Sequence, residues 1–237
     1  MTTHPPEDTG WRGSPEIWLD TAYDALIESG VDAVRILPLA RKLNLSRTSF
    51  YWYFKDRDHL LSALIERWRT KNTGALAARA QAYAETIVEA TLNVCDCWID
   101  NNLFDAQFEF AIRSWGLQST ALAQEISQTD ATRIDMLADM FTRFGYGQGE
   151  AETRARTIYL LQIGYISCRT HESLDTRMRR MSDYIEIFTG RTPQKRDLER
   201  FFARHNYTSA AAEHAQPPTA RGGPGKSDRV ISYPRPG

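Results

Sequence analysis

Long apolar runs are missing from this 237-residue chain, and none of its segments approaches the length needed to span a bilayer. The opening MTTHPPEDTG is polar and proline-bearing and lacks the apolar core of a secretory signal, so a cytoplasmic protein with no membrane partner is expected. Cysteine is scarce: three residues, an odd number, with Cys95 and Cys97 two positions apart. Side chains so spaced on a helix point to different sides, which makes a poor metal clamp, and no disulfide framework emerges; structural thiols are expected. Gly-rich phosphate loops, paired-histidine motifs and a Gly-x-Ser-x-Gly elbow are absent, and the five histidines are scattered. An enzyme, a cofactor and a metal are therefore not expected. Asp96, Asp100, Asp105 and Glu109 could in principle ligate a cation, but they read as solvated faces of helices. Strand-like alternation is also lacking, so the fold class is all-α.

Net charge is nearly absent as well, with 29 basic against 30 acidic residues. Locally it is not. From Arg35 to Arg57 stand Arg35, Arg41, Lys42, Arg47, Lys55 and Arg57, six cations against the single Asp56, a net of +5. A basic patch on a neutral chain is the footprint of a polyanion, although a solvated basic face has the same composition. The surrounding pattern favours the polyanion. Leu37, Ala40 and Leu43 fall at helical spacing and face inward, leaving Arg41 and Lys42 outside. Asn44 suits the left-handed residue of a tight turn, Leu45 returns to the core, and Ser46 is a natural N-cap for a helix running to Tyr53. Two short helices joined by such a turn make a helix-turn-helix, whose second helix enters a DNA groove. Phe50 is its inward anchor. Arg47, Ser49 and Trp52 are candidates for base edges; Thr48, Tyr51, Tyr53 and Lys55 are candidates for phosphates, and Arg35 joins the DNA-binding set.

These residues resemble the DNA-binding domain of the TetR family of bacterial transcription regulators. The resemblance rests on the apolar–Ala pair Leu39-Ala40, the turn Asn44-Leu45-Ser46, Tyr51, Phe54 and the run Lys55 to Leu61. Asn44 stands at the turn glycine, Thr48 where the family often has glycine, and Val34-Arg35 in place of a hydroxyl-bearing helix start. The resemblance implies a homodimer on a double-stranded DNA operator and a second domain for dimerisation and an unknown small-molecule effector. It also gives Arg12, beside Trp11, a route to a phosphate, where a disordered arm is the alternative.

Around this stretch, residues 1–13 form a disordered arm and residues 14–73 the DNA-binding domain. Ser14-Pro15-Glu16 starts its first helix and Gly30 ends it; Leu19, Ala22, Tyr23 and Leu26 make the stripe between. Asp56 caps the fourth helix, with Leu60, Leu61, Leu64, Ile65 and Trp68 on one face. Residues 74–207 form a larger helical ligand-binding and dimerisation domain: Ile87–Ile99, a helix ending near Gly116, Leu122–Phe144, Glu150–Arg169 and Leu174–Phe188. Residues 208–237, rich in Ala, Pro, Gly and charge, form a disordered tail. Ligand-binding candidates are Trp98, Phe108, Arg113, Trp115, Phe141, Tyr159 and Gln162, with core packing the alternative for each. If Arg113 is buried it needs an anionic partner. Ile163, Gly164, Met178, Met181 and Ile185 are candidates for the dimer interface, or for the core of one subunit. The function expected is a ligand-responsive transcriptional regulator, a repressor by family habit. The rival is a helical nucleoid or cell-division DNA binder without a small-molecule ligand.

Overall fold

Pro15 at the first helical position and Gly30 just past the last bound α1 (Pro15–Ser29) in the computed structural model, which describes residues 13–208. Gly30 closes the helix at φ 79°, its N–H donating to the Leu26 carbonyl at 3.0 Å, a backbone conformation glycine adopts without penalty. The expected arm and tail, with Trp11 and Arg12, lie outside the described residues except for Gly13 and Thr208. No strand occurs among the described residues, and none of their helices is long and apolar enough to cross a membrane. Two compact units divide after Arg67, earlier than the expected boundary at Gly74.

The first unit holds α1, α2 (Ile36–Leu43), α3 (Arg47–Phe50) and α4 (Arg57–Trp68), whose last residue belongs to the second unit. Trp18, Ala22 and Leu26 of α1, Leu39 and Ala40 of α2, Phe50, Phe54, and Leu60 and Leu64 of α4 are buried. Trp18 meets Phe50 edge to face at 5.3 Å, and Phe50 stacks on Phe54 at 5.4 Å; such pairs add to the stabilisation from burial alone. Leu37, expected inside, is 50% exposed. Leu39, Ala40 and Leu43 occupy the inner face of α2, which leaves Leu37 one turn from Arg41 on the outer face. Asp56 caps α4 as expected, accepting the His59 N–H at 2.8 Å.

The second unit opens with a wide π-helical turn, Arg69–Thr73, and continues through α5 (Gly74–Gln81), α6 (Ile87–Ile99), α7 (Ala106–Gly116), α8 (Thr120–Arg143) and α9 (Gln148–Ser167). Then come α10 (Leu174–Arg179), α11 (Met181–Thr189) and α12 (Lys195–Arg204). Thr86, Asp105, Ser119 and Ser173 start four of these by accepting a backbone N–H three residues on. The single helix expected over Leu174–Phe188 is two. Arg180, at φ −86° and ψ −6°, interrupts the ladder, and its guanidinium engages Glu172 ahead of α10. Helix α12 went unforeseen, although Gln194 and Asp197 form a capping box before Leu198 and Phe201. Phe201 is fully buried, and at the end of α12 Arg204 and His205 reach Asp96 of α6 at 3.3 and 2.8 Å. Arg79 of α5 adds a second guanidinium at 3.4 Å. Asp96 is thus no solvated carboxylate: α6 is covered on nearly every side, so its acid lies inside and is neutralised there.

Because Phe50 joins α1 to both arms of the turn, Phe50→Ala is expected to destabilise the first unit by about 3–5 kcal/mol. Chemical denaturation followed by circular dichroism measures this, and a loss below about 1 kcal/mol would contradict the packing described.

Candidate functional site

The turn of the first unit is built locally. Asn44 sits at φ 54°, ψ 39° and ends α2, as its short polar side chain permits. Ser46 caps α3 by accepting the Ser49 N–H at 3.2 Å. α3 itself is one turn long, Arg47–Phe50, continued to Tyr53 by tighter turns such as Tyr51 N–H to the Thr48 carbonyl at 3.1 Å. At its start Arg47 and Thr48 are exposed, followed by Tyr51 and by Trp52 at 64% exposure. Arg47 Nη2 donates to the Tyr51 hydroxyl at 2.9 Å, and the guanidinium lies over that ring at 5.6 Å. This holds a flexible cation in one orientation before any partner arrives.

Several expected DNA contacts are spoken for inside the unit. Ser49 is only 8% exposed and shares a hydroxyl hydrogen bond with Ser46 at 3.0 Å, because the capping geometry turns it inward. The Tyr53 hydroxyl donates to the Gly13 carbonyl at 2.5 Å rather than standing free for a phosphate. Arg57 donates to the Val34 and Val31 carbonyls at 2.6 and 2.7 Å and so ties down the turn after α1. Lys42 faces Asp24 and Glu28 at 3.6 and 3.9 Å. Apart from Arg57, which is held by carbonyls, the cations of this stretch without an ion pair among the described residues are Arg35, Arg41, Arg47 and Lys55, all exposed. Arg41 and Leu37, outside the expected DNA-binding set, are exposed on the outer face of α2.

In the second unit the expected ligand residues separate into three groups. Phe108 and Phe141 are fully buried in the core, and Trp115 is half-buried on α7. Arg113 and Tyr159 belong to a polar network centred on Glu109, which is fully buried. Glu109 accepts from Trp68 Nε1 at 2.6 Å and from Asn72, Arg113 and Arg133 at 2.9 Å each. Arg113 clasps Asp130 through two bonds of 3.0 and 2.5 Å, so its anionic partner is internal. Arg133, also fully buried, lies over the Trp68 ring at 4.9 Å and donates to Thr73 and to the Tyr159 hydroxyl. Burial pushes the Glu109 carboxyl up, but the charges of Arg133 and Arg113 and the bonds it accepts outweigh that and leave it below the ordinary value of 4.5. Glu109, like Asp96, was expected on a solvated face. Among the described residues no group of three or more acids, histidines or cysteines is placed to hold a metal ion.

Trp98 and Gln162 are the two expected ligand residues that line a cavity of about 40 Å³ between α6, α9, α10 and α11. Its other walls include Cys95, Tyr165, Arg177, Met181, Tyr184 and Phe188, none of them expected as ligand contacts. Burial pushes the Cys95 thiol up to about 12, so it stays protonated. Met178, Met181 and Ile185, expected at a dimer interface, are buried within the subunit, since the break at Arg180 sets α11 with this edge inward. Ile163 and Gly164 are half-buried. The apolar side chains that α9 and α11 leave outside are Leu160, at 52% exposure, Leu161, and Ile187, at 65%.

Residues 19–64 match the model of the bacterial regulatory proteins of the tetR family. No curated protein matches the chain. Among solved structures, a transcriptional regulator from Rhodococcus sp. Rha1 is similar at 17% identity and a TM-score of 0.51, covering 81% of this chain and 97% of its own. A TetR-family transcriptional regulator from Rhodococcus sp. is similar at 16% identity and a TM-score of 0.50, over 79% of this chain and 97% of its own. At such identities the likeness establishes the fold.

Glu109→Gln leaves Arg133 as a buried cation without its carboxylate and is expected to cost about 3–5 kcal/mol in denaturant unfolding. Since the folded-state value of Glu109 is depressed, its stabilisation is full above pH 4.5 and lost as pH falls through the lower folded value. The variant should therefore show a weaker loss of stability on acidification than the wild type. An identical acid dependence would contradict the pairing.

Proposed function

We propose, from the match of residues 19–64 to the bacterial regulatory proteins of the tetR family, that this chain is a ligand-responsive transcriptional regulator that binds a near-palindromic operator as a homodimer. The observation that carries this reading is the outward face of the turn: Arg47, Thr48, Tyr51 and Trp52 stand exposed while Ser49 and Phe50 turn in. Arg47, steadied by Tyr51, reads base edges with Trp52; Thr48, Lys55, Arg35 and Arg41 hold phosphates. Two such units reach successive major grooves about 34 Å apart. Leu160 and Ile187 are the apolar contacts through which α9 and α11 join a second copy, with Ile163 and Gly164 at its edge. The cavity beside Trp98 and Gln162 receives the effector, which favours a ligand-responsive regulator over a DNA binder without one. An effector that binds better to a conformation with mis-spaced recognition helices releases DNA, and DNA weakens the effector by the same factor. The protein acts in the cytoplasm, as a repressor.

Arg47→Ala is expected to cost about 1–3 kcal/mol at one base position and to relax the preference there, whereas Lys55→Ala weakens all sites alike and reduces the salt slope by about one per subunit. Fluorescence anisotropy on matched and scrambled duplexes separates the two; unchanged binding by both variants would remove α3 from the interface. Leu160→Glu combined with Ile187→Glu should yield a folded monomer by sedimentation. A dimer that survives both charges would place the interface elsewhere.

A further inference from the structure

The cavity of the second unit combines aromatic walls, one polar group without a protein partner and one cation without a counterion. Gln162 is 6% exposed, lines the cavity, and its amide has no hydrogen-bond partner among the described residues. An amide at such a wall offers two donors and an acceptor to whatever occupies the cavity. Arg177 donates to the Trp98 carbonyl at 2.8 Å and lies over the Tyr165 ring at 5.8 Å. No carboxylate among the described residues lies within ion-pair distance of it. Glu172, the other charged residue of the lining, is taken by Arg180 at 2.5 Å. One bond to a carbonyl uses a fraction of the five donors a guanidinium carries. Trp98, Tyr165, Tyr184 and Phe188 provide ring faces, the last two stacked at 5.6 Å.

Resting on the assignment of this unit as the effector-binding part, we propose that the effector is a small aromatic carboxylate. Its acid group pairs with Arg177, its ring lies against Trp98 and the Tyr184–Phe188 stack, and a further polar substituent meets Gln162. About 40 Å³ holds a few waters and no ring, so the ligand must part the walls. Met181, a flexible side chain of that wall, and the break at Arg180 are where they give. A ligand that fits only the opened arrangement has the differential affinity that regulation requires.

The test titrates the full-length protein with benzoate, 4-hydroxybenzoate and 1-naphthoate, each against its own carboxamide, by calorimetry. Operator affinity is measured separately without any probe. At least one acid should bind about tenfold or more tighter than its amide, as a charge-assisted pair requires. Arg177→Gln should abolish that preference and Arg177→Lys should retain it, while Gln162→Leu should weaken the hydroxylated acid more than benzoate. Amides binding as tightly as acids, or no binding by any acid, would overturn the proposal even where operator binding is intact. Acid preference without operator binding would support the ligand chemistry and overturn only the regulatory reading.

Discussion

A carboxylate with no access to water is the constraint on which the second unit depends. Glu109 cannot remain charged inside α7 unless donors surround it, and it receives four: the Trp68 indole, the Asn72 amide and the guanidinium groups of Arg113 and Arg133. Those donors come from the end of α4, the π-helical turn, α7 itself and α8, and Arg133 passes the connection to Tyr159 on α9. Each element is therefore placed by a polar bond of defined length as well as by apolar burial, which tolerates sliding. Arg133 Nη2 is buried without a hydrogen-bond partner, so the network is not fully satisfied even so. Replacing such an ion group by well-packed apolar residues is often neutral or stabilising, so its use lies in fixing one arrangement rather than in net stability.

The first unit handles charge in the opposite way. Several of its polar groups find partners inside the unit, Arg57 on two carbonyls, the exposed Lys42 beside two acids and Ser49 on Ser46. Arg35, Arg41, Arg47 and Lys55 then remain exposed and outside any ion pair among the described residues, in company with Tyr51 and Trp52. A surface that holds cations and aromatics out together is suited to phosphates and base edges, because counterion release and groove contacts both reward it. The +5 counted along the chain is thus smaller at the surface, and more ordered.

What was legible in the sequence was local. Pro15, Gly30, Asn44, Ser46 and Asp56 each act within four residues of where they stand, through a fixed φ, a left-handed turn or a cap, so the helix ends of the first unit followed from residue type alone. What escaped was set by partners distant in the chain. Ser49 and Tyr53 look like groove residues until the cap and Gly13 claim them. Glu109 and Asp96 look solvated until α8 and α12 bring Arg133 and Arg204. Met178, Met181 and Ile185 carry an apolar stripe that fits a dimer face as well as a core, and spacing cannot say which. Trp98 and Gln162, expected by residue character, line the cavity, whereas spacing gave no sign that Arg177 stands beside them.

The most direct measurement is selection of the purified full-length protein against random duplex DNA, followed by a salt titration on the enriched sequence. A two-fold symmetric winner, bound with steeply falling affinity as salt rises and contacted through Arg47 and Lys55, is the predicted result. Enrichment of nothing, or binding indifferent to salt and to both substitutions, would contradict the assignment of the exposed face of α3 to an operator.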